Sequence, residues 1–273
     1  MSILLLGETI LDFDILLKSK EVSSHTKRSK YIFNKNVINY GGASNLYKIL
    51  NTQKKTFFFS NNYKPKNKNY FNISNSTIIK YRYWYKKKNI FQINNISDRE
   101  KIILEKNYFK ILLKKLSESK ILVISNHNYG LIKKNIIKKL INYAKLHSIT
   151  TYYDAQHLKM TSNTYVPQNT DYFLMNRDEF RQYLDYFKIK NYNKINALIT
   201  LKKKLNTKNI ILKQDKDGCM CFTASNEFLK IKPIKYKKNI IGAGDKFLAA
   251  LVVKNNEKNF KKKLIFCNKF AIS

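Results

Sequence analysis

An α/β fold, built on a central, mostly parallel sheet with helices on both faces, is what the sequence predicts, and three observations predict it. Strand-like apolar runs alternate with amphipathic helical runs along most of the chain. The strand runs carry apolar residues at successive positions, as in Ile121-Leu122-Val123-Ile124, which suits strands covered on both faces. Glycine-bearing turns open helices near both ends, at Gly41-Gly42 and at Gly242-Ala243-Gly244.

In order, Ile3–Gly7 is a first buried strand, a helix begins over Ala43–Leu50, and Phe57–Ser60 is a second strand. Lys101–Ser117 has apolar residues at helical spacing and leads into a third strand, Ile121–Ser125. Leu131–His147 is another helix, followed by strands at Thr150–Asp154 and Tyr172–Asn176. Ile210–Lys213 and Cys219–Phe222 are later strands, and a helix after Asp245 and a basic helix to Phe270 close the chain. Two segments, about 15–39 and 78–93, break this rhythm: they alternate, and are polar and β-prone. Asn61–Asn69, rich in Lys and Asn, reads as a mobile loop. A chain of 273 residues can bury a sizeable core, as one large α/β domain or two small ones.

Net charge is +35, a value that usually points to nucleic acid or an anionic membrane. The kind of base argues otherwise. Of 53 Lys+Arg only five are Arg, the residue suited to bidentate recognition of phosphate and guanine. The excess residues (Lys, Asn, Ile, Tyr, Phe) share AT-rich codons, and the charge reads as compositional drift on solvated faces. With no helix-turn-helix, zinc or RNA-binding signature, specific nucleic-acid binding is not expected. Glu8, Asp12 and Asp14 interrupt the apolar start, so neither a signal peptide nor a membrane span is expected there. Three cysteines, Cys219, Cys221 and Cys267, form no disulfide framework and no metal spacing, which fits a reducing cytoplasm. In a strand, Cys219 and Cys221 point to one face and are expected to be buried.

The run Asn239-Ile240-Ile241-Gly242-Ala243-Gly244-Asp245 carries the sharpest chemical signal. Its small residues let backbone N–H groups crowd around a ligand, and the helix start behind them favours an anion such as phosphate. Asp245 stands where it could take a proton from a hydroxyl beside that anion. The same run could also be an ordinary loop–helix turn capped by Asp. Near the other end, an apolar strand runs into Gly7, an acid follows at Asp12, and Gly41-Gly42-Ala43-Ser44-Asn45 opens a helix.

Together these motifs resemble the PfkB (ribokinase-like) family of carbohydrate kinases, and the resemblance runs in order along nearly the whole chain. It implies one kinase domain over residues 1–273, with the two irregular segments forming a small β lid over a sugar site; surface hairpins are the other reading of them. It implies that Asp12, Gly41, Gly42 and Asn45 hold the sugar, that Gly242, Ala243 and Gly244 form the anion hole, and that Asp245 is the catalytic base. Asn176-x-x-Glu179 matches the family element that organises Mg²⁺ and phosphate, with Glu179 reaching the metal through water. Lys213 and Gly218 fall in the family's nucleotide-binding stretch. Lys80-Tyr81-Arg82 followed by Phe91-Gln92-Ile93, then Ser125–Gly130 and Tyr153-Asp154-Ala155-Gln156, is similar to the branch that phosphorylates heptose 7-phosphate. Lys80 and Arg82 would then clamp a phosphate already on the sugar; an exposed basic pair is the alternative. His127 reads as a plain loop residue. The cofactors implied are ATP and Mg²⁺, and lids of this kind often pair into homodimers.

Three features depart from the family pattern. Asn239 replaces an Asp that helps bind a monovalent cation in some members, which leaves cation activation open. Asp215 replaces a Gly in the nucleotide stretch Lys213–Gly218. Ser273 ends the chain inside what resembles the helix that walls the adenine pocket. A degenerate kinase fold that binds a ligand or partner without turnover therefore stays open beside the active enzyme.

Overall fold

The computed structural model describes residues 2–63, 68–96, 106–155, 165–190, 193–233 and 242–273. Thirteen strands are described: β1 (Ile3–Gly7), β2 (Thr9–Val22), β3 (Ser29–Gly42), β4 (Thr56–Asn61), β5 (Tyr70–Ser74), β6 (Ile78–Tyr85), β7 (Lys88–Ile96), β8 (Ile121–Asn126), β9 (Thr150–Ala155), β10 (Tyr172–Met175), β11 (Asn209–Lys213), β12 (Cys219–Phe222) and β13 (Phe228–Ile231). The helices are α1 (Ala43–Gln53), α2 (Lys106–Ser117), α3 (Lys134–Leu146), α4 (Arg177–Tyr186), α5 (Lys194–Leu205), α6 (Ala243–Val253) and α7 (Phe260–Ile272).

Nine strands form one sheet in the order β13-β12-β11-β10-β9-β8-β1-β4-β5. It is parallel from β5 to β11 and turns antiparallel only at β12 and β13. Its strands are apolar on both faces because both faces are covered. On β1, Leu4 and Leu6 join the core under α2–α5, while Ile3 and Leu5 join the core under α1, α6 and α7. On β8, Leu122 and Ile124 divide in the same way from Ile121 and Val123. Cys219, Cys221 and Cys267 are buried together in the second core as free thiols. Burial pushes the Cys219 thiol up to about 12 and the other two higher still, which suits inert packing groups.

The irregular segments make one four-stranded sheet, ordered β3-β2-β6-β7. They do not form two separate surface hairpins, because β2 and β6 pair in parallel across the middle. The first segment is longer than expected: β2 and β3 run from Thr9 to Gly42, so Asp12 and Gly41 lie within lid strands rather than in loops beside them. Buffering polar residues on long alternating strands had no apolar landmark at their ends, which hid those bounds.

Elsewhere the differences are local. Asn61 is not part of a loop: it ends β4 at 1% exposure, and its amide fastens both roots of the lid, at Thr9 and Ser76. The helix expected from Leu131 starts at Lys134. Of the helix expected from Lys101, residues 106–117 are seen and 101–105 lie outside the described residues, as do Gln156 and Asn239. Strands β5 and β13 and helices α4 and α5 had no place in the sequence reading. β5 and β13 hold the two sheet edges, where short, half-polar runs suffice. No helix among the described residues is long and apolar enough to cross a membrane.

Candidate active site

The carboxyl ends of the parallel strands meet along one edge of the sheet, and each delivers a polar side chain there. Glu8 follows β1, Asn126 ends β8, Asp154 lies near the end of β9, Asn176 follows β10 and Lys213 ends β11. The start of α6 and the inner face of the lid close over the same edge, as the following contacts show.

Gly242 is the N-cap of α6, with φ 80° and no side-chain cap. Asp245 is thus inside the first turn and does not act as the cap. Its Oδ2 instead accepts a hydrogen bond of 3.2 Å from Asn45 Nδ2, from α1. A Cβ on Gly242 would stand 2.6 Å from that same Asn45 nitrogen, so the glycine is required both by its backbone and by the closeness of the two helix starts. Backbone N–H groups at the beginning of α6 have no helical partners and face outward from the turn. Burial pushes the Asp245 carboxyl up to about 6; Asp154 adds to the rise, while Asn45, Lys213 and Lys80 oppose it.

Lys213 lies beside this turn: a Cβ on Gly244 would be 3.6 Å from its Nζ. That ammonium donates to both Asp154 oxygens, at 2.7 and 2.8 Å, with both side chains largely buried. Burial works to lower Lys213, but Asp154, Glu179 and Asp245 outweigh it and hold the ammonium charged. In the sequence Asp154 stood within the Tyr153–Gln156 stretch compared with the heptose branch; its pairing with Lys213 needs the strand order.

Asn176 and Glu179 form a complete capping box on α4. The Asn176 side chain accepts from the N–H of Asp178 and Glu179, and Glu179 accepts from Asn176 N–H at 2.6 Å and Asn176 Nδ2 at 2.7 Å. Burial raises the Glu179 carboxyl well above the usual carboxylate range, and Asp154 raises it further while Lys213 pulls it back. Gly218 stands apart from this cluster. With φ 82° it turns the chain between β11 and β12, and a Cβ there would meet Ile231 O at 2.1 Å, a packing reason for glycine. Asp215 occupies a left-handed position, φ 48°, and is exposed. Asp217 pairs with Arg177, which also donates to Gln214 O at 2.8 Å.

On the lid, Asp12 and Asp14 stand in register with Lys80 and Arg82, all on one face. Arg82 Nη1 is 3.0 Å from Asp12 Oδ1 and 3.9 Å from Asp14 Oδ1, and Trp84 Nε1 donates to Asp14 at 2.7 Å. Lys80 and Arg82 are therefore not an exposed basic pair; Arg82 is only 13% exposed. Burial lowers the Lys80 ammonium, against the pull of Asp12, Asp245 and Glu8. Burial likewise raises Asp12, against Arg82 and Lys80. Gly41 is explained by Asp12: a Cβ there would lie 2.2 Å from Asp12 Oδ2. Asp12 Oδ1 is buried, and the Arg82 guanidinium 3.0 Å away is its ion-pair partner without a well-aligned hydrogen bond. Gly42, with φ 62°, starts α1 and brings Asn45 inward.

Asp245, Asn45, Gly242, Gly244, Lys213, Asp154 and Glu179 thus form one connected group, with Lys80, Arg82, Asp12 and Gly41 above it. A half-buried carboxylate in the first turn of a helix, in the field of two lysines, is equipped to draw a proton from a hydroxyl next to a bound anion.

Comparison with known proteins agrees with this architecture. Solved structures of similar fold include ribokinase from Arabidopsis thaliana complexed with ribose and ATP, 14% identical with a TM-score of 0.70, covering 99% of this chain and 91% of that one. Phosphofructokinase-2 from Escherichia coli in complex with fructose-6-phosphate is 13% identical with a TM-score of 0.69, covering 98% and 92%. Ribokinase from Thermotoga maritima is 17% identical with a TM-score of 0.66, covering 99% and 91%. No curated protein matches the chain by sequence. The pfkB family carbohydrate kinase profile matches residues 87–271, well over half of the chain. With its ribokinase-like α/β fold and that match, the chain belongs to the pfkB family of carbohydrate kinases, and it is a sugar kinase.

Proposed function

We propose that this sugar kinase transfers the γ-phosphoryl group of ATP to a hydroxyl of a sugar that already carries a phosphate, with heptose 7-phosphate as the leading acceptor. The observation that carries the reading is Asp245: a half-buried carboxylate in the first turn of α6, hydrogen-bonded to Asn45 and lying in the field of Lys80 and Lys213. Asp245 takes the hydroxyl proton as the acceptor oxygen bonds to phosphorus and the bond to the departing ADP oxygen breaks. N–H groups of Gly242, Ala243 and Gly244 hold the transferring phosphoryl, and Lys213 neutralises charge beside them. Asp12, its carboxylate held in place by Arg82, is suited to accept from a sugar hydroxyl, with Gly41, Gly42 and Asn45 shaping the floor. Lys80 and Arg82 clamp the phosphate of the acceptor. Gly218 contributes the turn behind Lys213 on the nucleotide side.

Mg²⁺ fits the residues present in a limited way. Among the described residues no group of three or more His, Cys, Asp or Glu could hold a metal alone. Glu179, a buried carboxyl beside Asp154 and Lys213, suits an ion held mainly by phosphate and water, which it would reach through water with Asn176 fixing its orientation. When bound, the ion neutralises charge on the phosphate oxygens. The chain works as one kinase domain with its lid, in the cytoplasm, the compartment its free thiols suit.

The deciding experiment is turnover of ATP with Mg²⁺ against a panel of sugars and sugar phosphates that includes heptose 7-phosphate. Turnover confined to a phosphorylated acceptor is expected. Preference for a neutral sugar would remove the clamp reading, and no turnover by the folded protein would favour a degenerate, binding-only fold. The pH profile is a second check. With its carboxyl up at about 6 in the free protein, Asp245 is an ionised base above that pH, so kcat/KM should be flat above about 7 and fall about tenfold per unit below about 5. A profile that stays flat down to pH 4 would remove Asp245 from that role.

The lid also supports a homodimer. Of twelve exposed large apolar side chains among the described residues, eight lie on lid strands, including Phe33, Ile38, Phe91 and Ile93. Register puts Ile38, Phe91 and Ile93 on the face away from Asp12 and Lys80. The parent should sediment as a dimer and Phe91→Asp as a monomer; a parent that is monomeric at all concentrations would exclude the lid interface.

A further inference from the structure

Glu8 is the one fully buried carboxylate at the sheet edge that the proposed chemistry does not use. Its side chain accepts hydrogen bonds from the backbone N–H of His127 at 2.6 Å, Tyr129 at 2.8 Å and Leu131 at 3.2 Å. The loop curls around that carboxylate through left-handed backbone at Asn128 and Gly130. Meanwhile Glu8's own carbonyl accepts from Ala43 N–H at 2.9 Å, at the start of the helix that carries Asn45. One residue thus holds α1 through its main chain and the 127–131 loop through its side chain.

That loop reaches the lid by way of Tyr129. Tyr129 is 2% exposed and packs with Ile10 of β2 and Ile78 of β6 as a small apolar cluster separate from the two main cores. Ile10 and Ile78 sit where these two strands leave the body, so the cluster is the hinge of the lid. The same ring lies beneath Lys80, whose Nζ is 5.8 Å from its centroid, a cation–π distance. Burial pushes the Glu8 carboxyl up to about 7 even against its N–H donors, so holding a carboxylate there is costly. A buried group that costly, with its oxygens directed at one loop, is best understood by what the loop carries.

We infer that Glu8 is a positioning residue for the acceptor side of the reaction: it pins the 127–131 loop so that Tyr129 fills the lid hinge and sets Lys80 over the cleft. The inference rests on the reading of Lys80 as part of the acceptor clamp. It differs from a purely structural role in predicting an effect confined to one substrate. Asp245 and Lys213 are held instead by Asn45 of α1 and Asp154 of β9, so handling of ATP should be spared.

The test compares Glu8→Gln, Tyr129→Leu and Lys80→Ala with the parent, using heptose 7-phosphate, or whichever sugar phosphate the panel selects, and ATP. Glu8→Gln should raise KM for the sugar phosphate about tenfold while KM for ATP changes less than twofold. Tyr129→Leu, which keeps the carboxylate and an apolar hinge, should give the same one-sided shift, and it decides the matter if Glu8→Gln does not fold. A rise with Lys80→Ala but none with Glu8→Gln or Tyr129→Leu overturns the positioning role alone. Equal shifts in both KM values would also overturn it, as a general loosening of the fold. No rise with any of the three overturns the clamp reading itself.

Discussion

Asp245→Asn should lower kcat by about a thousandfold or more, with the affinity for ATP nearly unchanged. A positioned general base contributes about 10²–10⁴ in rate, and here the substitution removes the proton acceptor without removing its shape. The new amide keeps an oxygen that can accept from Asn45 Nδ2, so the contact between α1 and α6 survives. Stability should move the opposite way to activity. Burial raises the folded carboxyl to about 6 from an ordinary value of 3.8. A group raised in this way favours the fold only while protonated: its penalty is absent below about 3.8 and complete above about 6. The variant, neutral at every pH, should therefore melt higher than the parent at pH 7 and at the same temperature near pH 3.5. Equal turnover in variant and parent would sink the assigned role; a lower melting temperature at pH 7 would show that the carboxylate is better satisfied than its surroundings suggest.

Lys80→Ala combined with Arg82→Ala should reduce kcat/KM for a phosphorylated acceptor by about two orders of magnitude, and for the corresponding neutral sugar by less than tenfold. Two charge-assisted hydrogen bonds to one phosphate account for a loss of about 3 kcal/mol. The neutral sugar should not escape altogether, because Arg82 also pairs with Asp12 at 3.0 Å, and losing it leaves a buried carboxylate without its cation. Arg82→Lys separates the two effects: it keeps the charge near Asp12 while losing the planar fork, so it should restore the neutral sugar more fully than the phosphorylated one. If both acceptors fall by one common factor, the pair acts on the lid as a whole and clamps no phosphate.

Legibility in the sequence followed how local the physical cause was. The α6 start was readable because Gly242-Ala243-Gly244-Asp245 states its own backbone requirement, and Asn176-x-x-Glu179 because a capping box closes within four residues. For the latter, local physics supplies a complete structural reason, and the metal role proposed for Glu179 needs its own test. Gly218 was grouped with the site by its place in the chain, whereas the backbone beside Ile231 accounts for its glycine. Glu8 and Tyr129 passed unassigned: an acid after a strand and an aromatic residue in a loop have no partner visible within their own segments.

By itself the sequence determined the alternation of covered strands and helices, the two glycine turns and the acid at the second, since apolar runs and glycine act on the chain within a few residues. Only the tertiary structure decided that the irregular segments pair as a single lid sheet, that Asp154 pairs with Lys213, that Arg82 answers Asp12, and that Glu8 accepts from the backbone of Tyr129. Each of those contacts joins residues 59 or more positions apart. Such pairings exist once strand order brings distant chain ends to one edge, and burial there makes every unpaired charge costly enough to require its partner.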